Sequence, residues 1–335
     1  MDTETIIYLK RIAEALEQIA RQMSADKPYP AQNPLAAVQE VKNHVPTPDA
    51  VGNGALSLIP ASTSMDTEAT MAAEESGDAA CCRIREQSPQ TVIDMLDSIG
   101  VSVKNYATKN EEQQEVYNIA KFMGDRYSDI HHVYERLKRD LCQQTGFTLN
   151  MRTYTQQEVA ASCQLCTSLY RIAFLANYKY VKSPAFNLYA QAPATNNPQA
   201  INFLTGHWLE LFVRDTILEV LASMGGDIEY SYIVNPQVCL PNGDDFELDV
   251  IFLINGKTYW VEAKTGNYQQ YISKYAKLAR ELGLDPYIVL ADMSVRSTTM
   301  QTLSATYGIH ACFVEDFREM FRRRIEQDVL GKDNK

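Results

Sequence analysis

Apolar positions recur along this chain with different periods, and the changes of period divide it. Leu9, Ile12, Leu16, Ile19 and Met23 follow a 3-4-3-4 spacing, the seam of a coiled coil. Lys10, Arg11, Glu14, Glu17 and Arg21 take the other faces. Residues 1–23 are expected to form an amphipathic helix that either joins copies of the chain through residues 6–23 or packs on its own domain. Over residues 24–86 the pattern is lost. Pro28, Pro30, Pro34, Pro46, Pro48 and Pro60 interrupt it and large apolar side chains are scarce, as in a flexible linker.

Helical spacing returns over residues 87–200. A short helix is expected over Thr91–Ile99. A longer one is expected over Glu111–Cys142, with Ile119, Met123, Tyr127, Ile130, Tyr134, Leu137 and Leu141 on one face. Thr155 followed by Glu158 reads as a capping box, opening a helix through Val159, Leu169 and Phe174. Extended residues 185–190 come next. A helical unit ending in a small β element resembles a winged helix. From residue 201 to 335 helices and strands alternate. A helix over 203–224 stops at Gly225-Gly226. Strands are expected at 228–235, 247–254 and 257–263. A helix over 268–282, a strand at 287–291, a helix over 296–307, a strand at 309–314 and a terminal helix follow. The expected class is α/β, with an α-β-β-β-α-β core behind a helical, winged-helix-like region and the coiled-coil helix.

Composition narrows the setting. Seven cysteines in 335 residues make no disulfide scaffold and read as thiols of a reduced cytosol. No apolar run reaches the length of a membrane span, and Met1-Asp2-Thr3-Glu4 lacks the basic start of a signal peptide. A cytoplasmic protein with no membrane partner is expected. The net charge of −11 is distributed as −6 over residues 1–86, +1 over 87–200 and −6 over 201–335. This is no basic nucleic-acid platform; a nucleic-acid enzyme of this charge needs cations at an acidic site.

The candidate chemistry lies in the last segment. Asn255-Gly256 between two β-rich runs favours a two-residue type I′ hairpin. That turn sets Ile254 opposite Lys257, and by the same register Asp249 opposite Glu262. Like charges directly opposed destabilise a sheet, so folding alone gives no reason for the pair, whereas a divalent cation does. Lys264, two residues after Glu262, points to the same face. Oxygen donors of this kind suit Mg²⁺ or Mn²⁺. Glu210 borders the apolar face formed by Leu209, Phe212, Val213, Ile217 and Leu221, which suggests a fourth acid pointing into a pocket.

Asp249, twelve intervening residues, then Glu262-Ala263-Lys264 resembles the D…ExK core of the PD-(D/E)XK nuclease superfamily. With Gly206–Glu210, Glu247–Val250 and Val261–Lys264, the string looks closest to the nuclease domains of CARF-fused CRISPR-associated effectors, over residues 200–315. The resemblance implies that Asp249, Glu262, the Ala263 carbonyl and Glu210 hold Mg²⁺ or Mn²⁺. It implies that Lys264 positions or activates the attacking water. Residues 1–200 lack the alternating strands and helices of a CARF sensor, so activation by a cyclic oligonucleotide does not carry over, and another control mechanism or a protein activator is expected instead. The implied activity is a metal-dependent endonuclease of defence or mobile-element biology, with DNA the expected substrate and RNA the alternative. The alternatives are an inert nuclease-fold scaffold and a subunit active only within a partner complex.

Other residues have milder readings. Glu247, Gln269, Gln270, Lys274 and Lys277 are candidates for outer contacts and otherwise solvated charges or polar groups. Cys163 and Cys166 have a zinc-like spacing without a second pair, and fall on an apolar face. His207 reads as a helix-face residue, and Arg322-Arg323-Arg324 as a surface run able to touch a nucleic-acid backbone.

Overall fold

The computed structural model describes residues 84–107, 114–194, 196–266 and 268–330. The heptad segment, Cys81-Cys82 and all of the proline-rich segment before Ile84 lie outside the described residues. Asn255 and Gly256 take φ of 46° and 77°, the two left-handed residues of a type I′ turn. They join β8 (Val250–Ile254) to β9 (Lys257–Lys264), with Ile254 opposite Lys257 and Val250 opposite Val261.

This hairpin is the centre of a mixed sheet. β6 (Ile228–Cys239) flanks β8 antiparallel. On the other side β10 (Pro286–Leu290) lies parallel to β9, and β11 (His310–Phe313) parallel to β10. β10 is buried along its whole length, as a parallel strand covered on both faces must be. Alternate side chains of β8, β9 and β10 enter different cores. Val250, Phe252, Val261 and Val289 join one; Ile251, Trp260, Ile288 and Leu290 join the other. The first face is covered by α2 (Gln114–Asp125), α3 (Tyr127–Gln143), α4 (Gln156–Arg171), α6 (Trp208–Ser223) and α9 (Phe317–Leu330). The second is covered by α1 (Gln90–Ser98), α7 (Gln269–Leu282) and α8 (Ser297–Tyr307). The result is a mixed α/β fold with the sheet between helical layers, and α6-β6-β8-β9-α7-β10 reproduces the expected α-β-β-β-α-β order.

The capping box is formed as read: Thr155 Oγ1 accepts from the Glu158 amide, and Glu158 Oε2 accepts from the Thr155 amide at 2.7 Å. A small antiparallel sheet joins β3 (Phe147–Asn150), β5 (Asn187–Gln191) and β4 (Asn177–Val181), with β5 in the middle. The order α2-α3-β3-α4-β4-β5 is a helical unit with a small antiparallel sheet, and its first strand lies between the second and third helices. Its helices share one core with α6, so residues 87–200 and 201–330 are joined through side chains and not through a linker alone.

Three differences from the sequence reading shape the surroundings of the hairpin. The expected helix over 111–142 is two helices, broken at Arg126, whose φ and ψ are −128° and 23°. Gly124, a weak helix former, lies just before the break, where a Cβ would sit 2.2 Å from the Phe212 ring. Only a glycine lets α2 approach α6 this closely. The expected strand over 247–254 is interrupted between β7 (Asp245–Glu247) and β8. Finally, β1 (Ile84–Glu86) and β2 (Ser102–Ala107) both pair with β6, although they fall in the expected linker and helical regions. Their side chains are mostly exposed, so no apolar alternation announces them. Among the described residues no helix is long and apolar enough to cross a membrane.

Candidate active site

Beyond Val250 and Val261 the backbone ladder of β8 and β9 gives way, and side chains replace it. The Asp249 amide donates to Glu262 Oε1 at 3.2 Å, and the Ala263 amide donates to Asp249 Oδ2 at 2.8 Å. The opposition that would repel in an ordinary hairpin is thereby offset by hydrogen bonds to each carboxylate. Trp260 Nε1 donates to Glu262 Oε1 at 2.7 Å. Lys264 Nζ stands 2.8 Å from Asp249 Oδ2 and 2.9 Å from Glu262 Oε2. The triad lies at the carboxyl end of parallel β9 and β10, the end where open α/β sheets bind ligands.

Glu262 is fully buried and Asp249 is 7% exposed. Burial first, then the neighbouring Glu262 and Glu210, push the Asp249 carboxyl up to about 7 against the pull of Lys264. For Lys264, burial pulls downward, but Asp249 and Glu262 outweigh it and hold the ammonium well above its usual range. The lysine is therefore a fixed cation. Burial and Glu262 raise the Tyr275 hydroxyl as well, so it stays neutral, and Lys264 Nζ sits 5.5 Å from its ring centroid.

Glu210 reaches the same cleft from the first turn of α6. A π-helical turn, Phe203–His207, precedes it; such turns are frequent at functional sites. Glu210 Oε2 lies 2.8 Å from His207 Nδ1 and accepts from Asn235 Nδ2 at 3.2 Å. The cleft, about 520 Å³, is lined by all four expected residues together with His207, Glu247, Phe246, Tyr271, Lys274 and Lys104. His207 is thus a cleft residue, and Asn235 and Trp260 are further partners of the carboxylates. Sequence spacing does not reveal these contacts; only the unusual His-Trp-Leu-Glu run points toward the first.

The remaining candidates divide. Glu247 and Lys274 line the cleft, and Lys274 Nζ stands 4.3 Å from the Phe246 ring centroid. Lys277 faces Glu281 at the surface, and Gln269 is exposed at the start of α7. The side chain of Gln270 lies outside the described residues. Arg322 reaches Ser223, Arg323 pairs with Glu319, and Arg324 pairs with Asp328 and Asp285; none lines the cleft. Cys163 and Cys166 are free thiols, the second buried.

The donor set favours a hard cation. Glu262 Oε2 is buried, lacks a well-aligned hydrogen-bond donor, and is met by the Lys264 ammonium. Two carboxylates face one ammonium at the triad, with Glu210 in the same cleft, which leaves negative charge for a further cation. No three His, Cys, Asp or Glu side chains among the described residues enclose an ion by themselves. That excludes a closed zinc site built from these side chains; the buried oxygen donors are of the type Mg²⁺ takes, one or two carboxylates with waters completing the shell.

No protein-family model matches the sequence, and no curated protein matches it. Protein VC1899 from Vibrio cholerae is similar in structure at 17% identity and a TM-score of 0.47, over 69% of this chain and 60% of that one. Can2 from Sulfobacillus thermosulfidooxidans, solved in complex with cyclic tetra-adenylate, is similar at 17% identity and a TM-score of 0.49, over 70% of this chain and 60% of that one. Each match spans about three fifths of the neighbour's length, and at this identity the likeness concerns overall architecture alone.

Proposed function

We propose that this chain is a metal-dependent endonuclease of the PD-(D/E)XK type, hydrolysing phosphodiester bonds of DNA in preference to RNA. The observation that carries the reading is the Asp249–Glu262–Lys264 triad at the opened end of β8 and β9. A buried pair of acids beside a lysine costs stability and is explained by chemistry. Asp249, Glu262 and the Ala263 carbonyl would hold Mg²⁺ or Mn²⁺, with Glu210 on the opposite wall holding or steering a second ion. The ion would supply Lewis-acid polarisation of the phosphate and lower the pKa of water.

Lys264 orients the attacking water and offsets the charge that builds on the phosphate oxygens. Trp260 and the Ala263 amide keep the two carboxylates aimed into the cleft. Asn235 and His207 fix Glu210. Lys104 and Lys274 on the cleft wall contact the phosphate backbone. Homo-oligomerisation through residues 6–23 brings sites together for cutting both strands. The setting we propose is cytoplasmic defence or mobile-element biology.

The test is cleavage of single- and double-stranded DNA and RNA with Mn²⁺, Mg²⁺ or EDTA. The expected result is cutting of DNA that requires the metal and stops in EDTA. Absence of cutting of every substrate together with absence of Mn²⁺ binding, by folded protein, would overturn the reading; metal binding without cutting would favour a nuclease that acts only with a partner.

A further inference from the structure

We infer that Lys138 and Tyr127 are positioning residues that hold the strand end carrying Lys264 and the neighbouring end of β10; this rests on the nuclease reading above. Both belong to α3, far in sequence from the triad. Lys138 is 5% exposed, and its Nζ donates to the Thr265 carbonyl at 2.6 Å. Thr265 directly follows Lys264. Tyr127, 1% exposed, donates its hydroxyl to the Ala291 carbonyl at 2.7 Å. The Ala291 amide in turn donates to the Lys264 carbonyl at 3.0 Å. One helix thus grips the backbone on both sides of the lysine, through the end of β9 and the end of β10.

The same helix touches the opposite wall. Tyr134 accepts from Trp208 Nε1 at 2.9 Å, and Trp208 opens the turn that bears Glu210. Thr265 Oγ1 donates to the Thr205 carbonyl at 2.9 Å, in the π turn before that helix. α3 therefore sets Lys264 and Glu210 relative to each other. The two carboxylates of the hairpin are held separately, by Trp260 and by backbone amides.

A lysine is a costly choice at position 138. Burying an ammonium against an apolar layer is unfavourable unless it is paired and hydrogen-bonded. Here it meets the Thr265 carbonyl, with Glu135 Oε1 at 3.5 Å and the Tyr134 ring centroid at 5.3 Å. An apolar residue would fill the space but leave that carbonyl without its donor. Misplacing a reacting group by about 1 Å can cost about 100-fold in rate.

The test compares wild type with Lys138→Met, and with Tyr127→Phe, which keeps the ring and the fold. Three quantities are read: kcat and KM for DNA cleavage, Mn²⁺ affinity by calorimetry, and exchange of the Ala291 amide. In Lys138→Met, kcat is expected to fall by about 10-fold or more, with KM and Mn²⁺ affinity changing less than about threefold. Exchange at Ala291 is expected to quicken in both variants, and kcat in Tyr127→Phe to fall several-fold. An unchanged kcat in both variants overturns the inference. So does a loss of Mn²⁺ affinity that tracks a global fall in melting temperature. If wild type neither cuts DNA nor binds Mn²⁺, the nuclease reading fails on its own; unchanged exchange at Ala291 overturns the positioning role independently.

Discussion

Lys264→Met is expected to lower cleavage by about 100- to 1,000-fold, the range for losing one preorganised charge aimed at a transition state. The same substitution is expected to destabilise the fold by about 3–5 kcal/mol, because it leaves a buried charge pair without its partner. Both effects have one origin. Lys264 Nζ is within 2.9 Å of a carboxylate oxygen on each of Asp249 and Glu262, and both acids are buried. Methionine preserves the length of the side chain and removes only the cation, so packing loss contributes little. Added Mn²⁺ is expected to recover part of the stability and none of the cleavage. Urea unfolding with and without Mn²⁺, beside a cleavage assay, separates the effects. Full activity in the variant would remove Lys264 from the chemistry.

Trp208→Ala is expected to cost about 3–5 kcal/mol, as large-to-small changes of aromatic core residues do. Trp208 is fully buried. It stacks on Tyr127 at 5.9 Å and meets Tyr134 edge-on at 5.5 Å, and its indole N–H is bonded to the Tyr134 hydroxyl. These contacts tie α6 to α3, and hence the Glu210 wall to the helical region before residue 200. The melting temperature should fall by about 10 °C, at roughly 2–4 °C per kcal/mol for a region of this size. A shift below about 3 °C would show that the two regions are not coupled through this residue.

The triad was legible because a local rule reaches it. Asn255-Gly256 fixes a turn, the turn fixes a register, and strand alternation then brings Lys264 to Asp249 and Glu262. Glu210 was legible as an acid beside an apolar helical face. The order of helices and strands after residue 201 was legible because their apolar periods are strong and their helices end at glycines such as Gly283, with φ of 66°. What escaped depends on contacts between distant segments. Lys138 looks like any polar helix residue until α3 is laid against Thr265. Asn235 has no periodic meaning until it meets Glu210. β1 and β2 are short and exposed, held by the neighbouring β6 and not by a pattern of their own. The interruption before β8 likewise depends on a distant segment: it falls opposite Asn235 of β6, whose φ is 51° and whose amide donates to the Asp249 carbonyl at 2.8 Å.

Calorimetric titration of Mn²⁺ into wild type and Asp249→Asn tests the central claim most directly, because it needs no substrate and no activator. The account predicts saturable binding to wild type that is weakened by at least about 10-fold in the variant, since even outer partners of metal ligands are worth about 10- to 100-fold in affinity. Equal binding to both proteins, or none to folded wild type, would contradict it.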